Sequence, residues 1–382
     1  MESSRPLAYE SVKSVLKHMS IGTRNKLRNC CSEIRIAEAN APLKIERLEF
    51  QNGEIVIENK KYRFYKSICP MNENPATSKN RQDFDYDDID ENGEMENFVD
   101  SMTPGDVLIS THRPNFARRI PEFSSHYIKY EFKELKTGYT NTKYLKNTRV
   151  RTCLKNIAVK MLGGRSSAIQ VKNLVNGVHD GVISLPENLN LQVQNLSTNY
   201  AGFIEAFTPV MDPNFPLESL NLGNVFTDPW LQHNLTKKAK VLKFGPLMRP
   251  YHEGLPPLSN YGIDLRAPWN VSNAEDVIGI VKKWMKSDRE NGSFFKTTIC
   301  RANHETVREV LKSELGAVSK IIEIHEVDCP EHQTVECQSL QMNELLSLVV
   351  YWIPREDQFK GDLHIKVSPS QSSSQTTHST YK

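Results

Sequence analysis

The sequence contains no long hydrophobic run, no apolar segment at its first residues and no strong excess of one charge. A helix that crosses a membrane needs roughly 18 apolar residues in succession, and no stretch of the 382 residues approaches this length. Residues 1–6 lack the apolar core of a secretory signal. Lys and Arg number 48 against 46 Asp and Glu, so no global field attracts nucleic acid or lipid. We therefore expect a cytoplasmic or nuclear protein without membrane contact.

Catalytic signatures are also missing. The seven cysteines form no Cys-x-x-Cys pair, which predicts free thiols in a reducing compartment. The sequence has no Walker loop and no Gly-x-Ser-x-Gly, and His304-Glu305 lacks the second histidine of a zinc-protease helix. A catalytic triad forms in space, so the sequence does not exclude one. We nevertheless predict a non-enzymatic protein with no catalytic residues and no cofactor.

Three polar clusters have the residue types of a ligand site without its other features. The first cluster contains possible zinc ligands, but their spacing in the sequence does not match that of a zinc finger. Its members are His325, Cys329, His332 and Cys337. The second cluster has the spacing of calcium-loop ligands, but Asp88 occupies the position at which such a loop needs glycine. Its members are Asp83, Asp85, Asp87 and Glu94. The third interleaves cations with Tyr139 and Tyr144, as phosphate and stacking contacts require: Lys133, Lys136, Lys143, Lys146, Arg149 and Arg151. We predict no metal site, and for the third cluster a solvated face rather than nucleic-acid binding.

Residues 5–42 have the apolar period of short helices. Val12, Val15, Leu16 and Met19 lie on one side of a first helix, which we expect to stop at the turn of Gly22. A second helix capped by Thr23 and a third from Ser32 to Pro42 complete the segment. A segment of this size cannot bury enough surface to be stable by itself. It therefore needs to pack against another part of this chain or against a partner.

From Leu43 the apolar period changes to two, which predicts strands over 43–70. Asn52-Gly53 lies between two apolar runs and predicts a hairpin with a type I′ turn. Residues 71–100 are rich in Asn, Asp and Glu, which predicts a mobile acidic loop. A mixed connecting region over 101–165 follows.

An apolar pattern, Φ-x-Φ-x-x-Φ, recurs along the chain after residue 165. Its copies begin about 21–29 residues apart, within the range of leucine-rich repeats. The first two Φ positions of each copy are Ile169 and Val171, Leu191 and Val193, Leu220 and Leu222, Leu242 and Phe244, and Ile263 and Leu265. Where the last Φ position is present, it is Leu174, Leu196, Val225 or Leu247. One such unit cannot cover its own apolar face, so stacked units share a core. The alternative is an ordinary α+β sheet with evenly spaced strands.

The remaining segments complete an α+β chain, in which a β-rich, leucine-rich-repeat-like α/β binding domain occupies 166–367. Val277, Val281 and Trp284 indicate a helix that opens at Ser272 or Asn273 and ends at Gly292. Runs at 321–327 and 346–353 predict strands, the second of them buried. Residues 368–382 are rich in Ser, Thr and Gln and predict a disordered tail.

Short motifs along most of the chain resemble an uncharacterised, nematode-expanded family of F-box-like proteins. At the N-terminus they are Pro6-Leu7-Ala8-Tyr9-Glu10-Ser11-Val12-Lys13-Ser14-Val15-Leu16, Arg24, Arg35 and Pro42-Leu43-Lys44-Ile45. Further along they are Gly164-Arg165, Asp212-Pro213, Phe215-Pro216-Leu217, Trp284 and Leu348-Val349-Val350-Tyr351. The match departs from a true F-box in the order Pro6-Leu7 and in having Ile34-Arg35-Ile36 where a tryptophan is common.

The resemblance implies an N-terminal F-box-like unit that docks on the linker subunit of a cullin-type ubiquitin ligase. The repeat-like domain would then hold a protein substrate. The docking face would consist of Leu7, Val12, Val15, Leu16 and Met19. Two alternatives stay open: the helices only cap the repeat stack, or the protein is a binding scaffold with no link to a ligase.

Overall fold

The computed structural model describes residues 9–84, 102–110, 124–200, 202–223, 233–244, 260–265, 272–324, 333–355 and 359–370. The chain divides into two compact units, unit 1 (Met1–Glu218) and unit 2 (Ser219–Lys382). The boundary between them lies inside the segment for which the sequence predicts one repeat-like domain.

The described residues form α-helices and strands in both units, so the fold is mixed α/β. The helices are α1 (Tyr9–Lys17), α2 (Ile21–Cys30), α3 (Ser32–Asn40), α4 (Val150–Leu162), α5 (Gly202–Phe207), α6 (Asn234–Lys238), α7 (Ala274–Met285) and α8 (Arg301–Ser313). The strands up to the end of unit 1 are β1 (Leu43–Gln51), β2 (Glu54–Ile57), β3 (Lys60–Pro70), β4 (Gln82–Phe84), β5 (Val107–Ser110), β6 (Ser124–Glu134), β7 (Thr140–Leu145), β8 (Ile169–Asn176), β9 (Gly181–Ile183) and β10 (Leu191–Thr198). Unit 2 contains β11 (Ser219–Leu222), β12 (Val241–Phe244), β13 (Gly262–Leu265), β14 (Phe294–Cys300), β15 (Val318–Ile324), β16 (Gln333–Gln341), β17 (Leu346–Pro354) and β18 (Lys360–Pro369).

The strands of unit 1 follow the order β10-β8-β1-β2-β3-β6-β7, with β4 beside β3 and a separate pair of β5 and β9. Strands β1, β8 and β10 are parallel, whereas β1, β2, β3, β4, β6 and β7 pair as antiparallel neighbours. Strand β1 thus joins an antiparallel half to a parallel half, and α3 leads into it through Pro42.

The strands of unit 2 follow the order β11-β12-β13-β14-β18-β17-β16-β15. The first four are parallel, and the remaining four continue from β14 as an antiparallel meander. Helices α7 and α8 pack on one face of these strands through buried apolar residues, among them Val277, Val281, Val307 and Leu311.

The spaced apolar pattern marks strands in both units. Its first two Φ positions are buried in β8 and β10 of unit 1 and in β11, β12 and β13 of unit 2. Val225 and Leu247 lie outside the described residues. Strand β1 carries a further copy, Leu43, Ile45 and Leu48, that sequence reasoning treated only as part of a hairpin. Its residues pair in register with Ile169, Val171 and Leu174, as Leu191, Val193 and Leu196 do from the other side.

The two-residue gap in the pattern has a physical cause in unit 1. The ladder between β8 and its neighbours is interrupted at Lys172, so nearby backbone carbonyls need other donors. Asn173 Nδ2 donates to the carbonyl of Glu46 at 3.0 Å, and Asn195 Nδ2 donates to that of Lys172 at 3.0 Å. Asparagine stands at the same place in both repeats because its short amide reaches the neighbouring strand.

Several predicted boundaries are wrong by a few residues. Ser20, not Thr23, caps α2, because its Oγ accepts the Thr23 backbone N–H at 3.2 Å, and Gly22 lies inside the helix. Asn52-Gly53 does connect β1 and β2, but only Gly53 has a positive φ, 68°, whereas a type I′ turn needs two.

The helix around Trp284 begins as predicted and ends early. Asn273 accepts the Asp276 backbone N–H at 2.7 Å and caps α7. The helix ends at Met285, and Gly292 forms a later turn with φ 87°.

Other differences concern whole segments. The predicted loop over 71–100 contains β4, and the rest of it after residue 84 lies outside the described residues. Strand β18 continues to Pro369, inside the predicted tail, whose residues 371–382 are not described. Helix α4 within 101–165, and α8 and β14, had no sequence-based expectation.

The buried Φ positions should control the stability of unit 2. Leu222 is 0% exposed, whereas Asn221 lies on the opposite side of β11 and is half-buried. Leu222→Asp places an unpaired charge in the core and should cost several kcal/mol, a large part of the ~5–15 kcal/mol that stabilises a typical domain. Asn221→Asp adds the same charge to the same strand and should have little effect. Chemical denaturation of both variants tests this, and equal losses would contradict the repeat packing.

Candidate binding surfaces

The three N-terminal helices of unit 1 have an apolar core of their own. Leu16, Ala37 and Ala41 are almost fully buried in it. Side chains packed against this core are Val12, Met19, Leu27 and Ile34. The two alanines lie on and just after α3, and their small side chains let α1 approach closely. The apolar side of α1 therefore faces α3.

This packing changes the role of the predicted docking residues. Leu16 is 1% exposed, and Val12 and Met19 are half-buried against the same core. Of the stripe, Val15 alone is largely exposed, at 47%. Leu7 lies outside the described residues. The helical period identifies the inward side of α1, so the expectation of an outward face made by Leu16 and its neighbours needs correction.

Three large apolar side chains of the helices do face solvent, and we call them the helical surface: Tyr9, Val15 and Ile36. Ile36 is 66% exposed and Tyr9 44%. Asn40 Nδ2 donates to Tyr9 Oη at 3.2 Å and to the Ile36 carbonyl at 3.0 Å, so α1 and α3 meet there. Sequence reasoning missed Ile36, although its place two residues after the inward-facing Ile34 indicates the opposite side of a helix.

A buried ion pair holds α2 and α3 together. Arg24 and Glu38 are 1% and 0% exposed, and Arg24 Nε donates to Glu38 Oε1 at 3.1 Å. The same guanidinium donates to the carbonyls of Pro42 at 2.8 Å and Ala41 at 2.9 Å. These carbonyls belong to the end of α3 and the entry to β1, where helical backbone acceptors have no internal partner.

Two more arginines connect this pair to the segment between α4 and β8. Arg165, whose side chain is 3% exposed, donates to the Glu38 carboxylate and to the Glu38 carbonyl. Arg28 Nη1 donates to the Gly163 carbonyl at 2.9 Å and lies 3.9 Å from Glu38 Oε2. The Glu38 carboxylate thus interacts with three guanidinium groups. Arg24 and Arg165 are far apart in the sequence and meet at this carboxylate.

Burial puts both inner arginines under electrostatic stress. It lowers the pKa of Arg24, and the nearby Arg165 lowers it further, while Glu38 opposes the change. Burial also lowers the pKa of Arg165, again against the effect of Glu38. Arginine nevertheless keeps its proton in proteins, so Glu38 has to balance two buried positive charges.

The outward side of the parallel strands in unit 1 is polar, and we call it the strand surface: Lys44, Glu46, Gln170, Lys172, Gln192 and Gln194. Gln170 Nε2 donates to Gln192 Oε1 at 3.4 Å, and Gln192 Nε2 donates to Asp212 Oδ2 at 3.1 Å. Lys172 and Glu46 form an exposed ion pair of 2.8 Å, which raises the pKa of Lys172. Amides and paired charges on strands suit hydrogen bonding to another protein chain.

The two clusters with metal-type residues lie mostly outside the described residues. Of the zinc-type cluster only Cys337 is described, and it is 1% exposed inside β16. Of the calcium-type cluster only Asp83 is described, and it pairs with Arg81 and Lys129. No group of three metal-binding side chains occurs in the described part of the chain.

The basic cluster of residues 133–151 is distributed over β6, β7 and α4. Arg151 pairs with Asp106 at 3.3 Å, and Lys146 lies over the ring of Tyr127. The ring of Tyr144 contacts Arg81. These side chains of the cluster therefore already contact other residues of the same chain.

Comparison with known proteins gives one match. Residues 149–301 match a family described as a domain of unknown function (DUF3557). The match extends from just before α4 to the start of α8 and so includes strands β8 to β14. No curated protein and no solved structure matches the chain. Among the described residues, no helix has the length and apolar character to cross a membrane.

The buried carboxylate should be essential for the N-terminal helices. Glu38→Ala leaves Arg24 and Arg165 without a counter-charge and should cost about 3–5 kcal/mol. We expect fast hydrogen exchange over residues 21–40 and a lower thermal midpoint. Glu10→Ala is the control, because it removes an exposed pair with Lys13 on α1 and should change neither. Equal behaviour of the two variants would contradict the importance of Glu38.

Proposed function

We propose that this protein is a substrate-recognition adaptor of a cullin-type ubiquitin ligase that acts by protein–protein binding and not by catalysis. The N-terminal helices would contact the linker subunit of the ligase, and the strand surface would contact a protein substrate. The F-box-like resemblance of the N-terminal residues motivates the ligase link.

The observation that carries the proposal is the helical surface. The helices bury their own core, yet Val15 and Ile36 expose about half or more of their side chains. Exposed apolar side chains on rigid elements are typical anchors of protein interfaces, in which a few residues supply most of the binding energy. The Glu38 ion pairs keep α2 and α3 in place, so little conformational entropy would be lost on docking.

The strand surface supports the second half of the proposal. A hydrogen bond between neighbouring strands joins its Gln170 and Gln192 side chains, so these amides continue from one strand to the next. Such polar side chains suit recognition of a folded partner, because polar groups give an interface its specificity even where little apolar area is buried.

A second candidate is a binding scaffold without a ligase link. The observation that favours it is the inward packing of Leu16, Val12 and Met19. If these helices only cover the end of the parallel strands, then their exposed apolar residues need no partner, since single exposed apolar side chains are common on protein surfaces.

Co-purification can separate the two candidates. The wild-type chain, expressed in cells, should retain the linker and cullin subunits. Val15→Asp combined with Ile36→Asp puts charges into the contact and should reduce retention at least tenfold, with unchanged circular dichroism. Both residues are exposed, so the fold should tolerate the change.

The matched control is Val159→Asp, which charges an exposed valine on α4, 43% accessible, and should retain both subunits. Absence of the linker from the wild-type sample would reject the adaptor function in favour of the scaffold. Equal retention by the double variant would show that the helical surface is not the contact.

A further inference from the structure

Strand β15 forms one end of the sheet of unit 2 and has an unusual edge. It pairs with β16 alone among the described strands. Ile321 is 76% exposed and Val318 59%, the first on the side of α8 and the second on the other side. An edge strand offers unpaired backbone N–H and C=O groups. Proteins usually prevent such edges from pairing with other chains. On β15 the edge instead carries exposed apolar side chains, which favour such pairing.

A cavity lies on the face of β15 to β18 opposite α8. Its volume is about 270 Å³, and its lining includes Lys320, Ile322, Ser339, Val349, Tyr351 and Lys366. Ile322 and Val349 supply half-buried apolar walls. The register places Lys320 opposite Cys337 and that residue opposite Tyr351, so the cavity begins at the edge strand itself.

The charge of the cavity favours an acidic occupant. Its charged lining residues are Lys320, Lys366 and Glu323, which leaves an excess of one positive charge. Both lysines are exposed. Carboxylates that enter the cavity would be attracted by these lysines without a large desolvation cost.

We propose that the edge of β15 is a strand-addition site for an extended segment of a partner protein in which apolar and acidic residues alternate. The segment would pair its backbone with β15. Because side chains of a strand alternate between faces, one set would enter the cavity beside Lys320 and Ile322. The other set would cover Ile321. This inference concerns unit 2 alone and does not rest on the ligase link.

A second copy of this chain is a poorer occupant of the edge. Its own β15 carries one lysine and one glutamate, Lys320 and Glu323, and therefore brings no net negative charge. A partner segment with several carboxylates matches the cavity better. Binding by strand addition derives affinity from main-chain hydrogen bonds and specificity from pockets for alternate side chains, and β15 offers both.

The probe is a fluorescent eight-residue peptide in which valine and glutamate alternate, titrated into the full-length protein and followed by anisotropy. We expect saturable binding and slower hydrogen exchange over residues 318–324. Lys320→Glu combined with Lys366→Glu should weaken binding at least tenfold. Lys160→Glu, at an exposed lysine on α4 of unit 1, is the matched control and should bind as the wild type does.

Two control peptides test the pairing itself. Lysine in place of glutamate should abolish binding because of the excess positive charge, and proline at two central positions should abolish it because the backbone donors are lost. Absence of saturable binding up to about 1 mM, equal binding of the proline peptide, or an equal loss for Lys160→Glu would overturn the proposal. A dimer that disappears in Ile321→Glu, without peptide binding, would assign the edge to a second copy instead.

Discussion

The buried carboxylate of Glu38 is the interaction on which the N-terminal half of unit 1 depends. It lies between Arg24 of α2 and Arg165 of the segment before β8, residues that are far apart in the sequence. A buried charge is costly unless it is paired, so the three side chains constrain each other's positions. Through the carbonyls of Ala41 and Pro42, Arg24 also fixes where the chain leaves α3. Strand β1 therefore begins at a defined place.

That starting point determines how β1 can pair. Leu43, the first residue of β1, lies opposite Ile169, the first residue of β8, and Arg165 precedes β8 by a few residues. The ion pairs thus hold the starts of two parallel strands at the same level, while the repeated apolar pattern and the Asn173 side chain maintain the register beyond. A parallel pair needs a long connection, and here it includes the hairpins of β2, β3, β6 and β7 and helix α4.

Local parts of this arrangement were predictable and distant parts were not. The apolar pattern identifies β8, β10, β11, β12 and β13, and Asn273 identifies the start of α7, because period and capping act over a few residues. The pairing of β1 with β8 escaped prediction because nothing local relates them. Polar and apolar residues alternate around Glu38 in α3, and a carboxylate in such a helix normally faces solvent. Its burial could not be predicted without knowing that Arg165 lies beside it.

The candidate site illustrates the same limit. The stripe of Val12, Leu16 and Met19 correctly indicates an apolar side of α1, but periodicity does not say whether that side faces a partner or the chain itself. Packing against Ala37 and Ala41 makes it internal, so outward contact is left to Val15 on α1 and to Ile36 on α3. The proposed docking therefore depends on fewer residues than the stripe suggests, held in place by the ion pairs below them.

Hydrogen exchange of the full-length protein with and without the purified linker subunit of a cullin-type ligase tests this account most directly. The account predicts slower exchange over residues 9–17 and 32–40, the helices that carry Val15 and Ile36, with the strands of unit 2 unchanged. Unchanged exchange throughout the chain at saturating linker concentration, or protection confined to other segments, would contradict it.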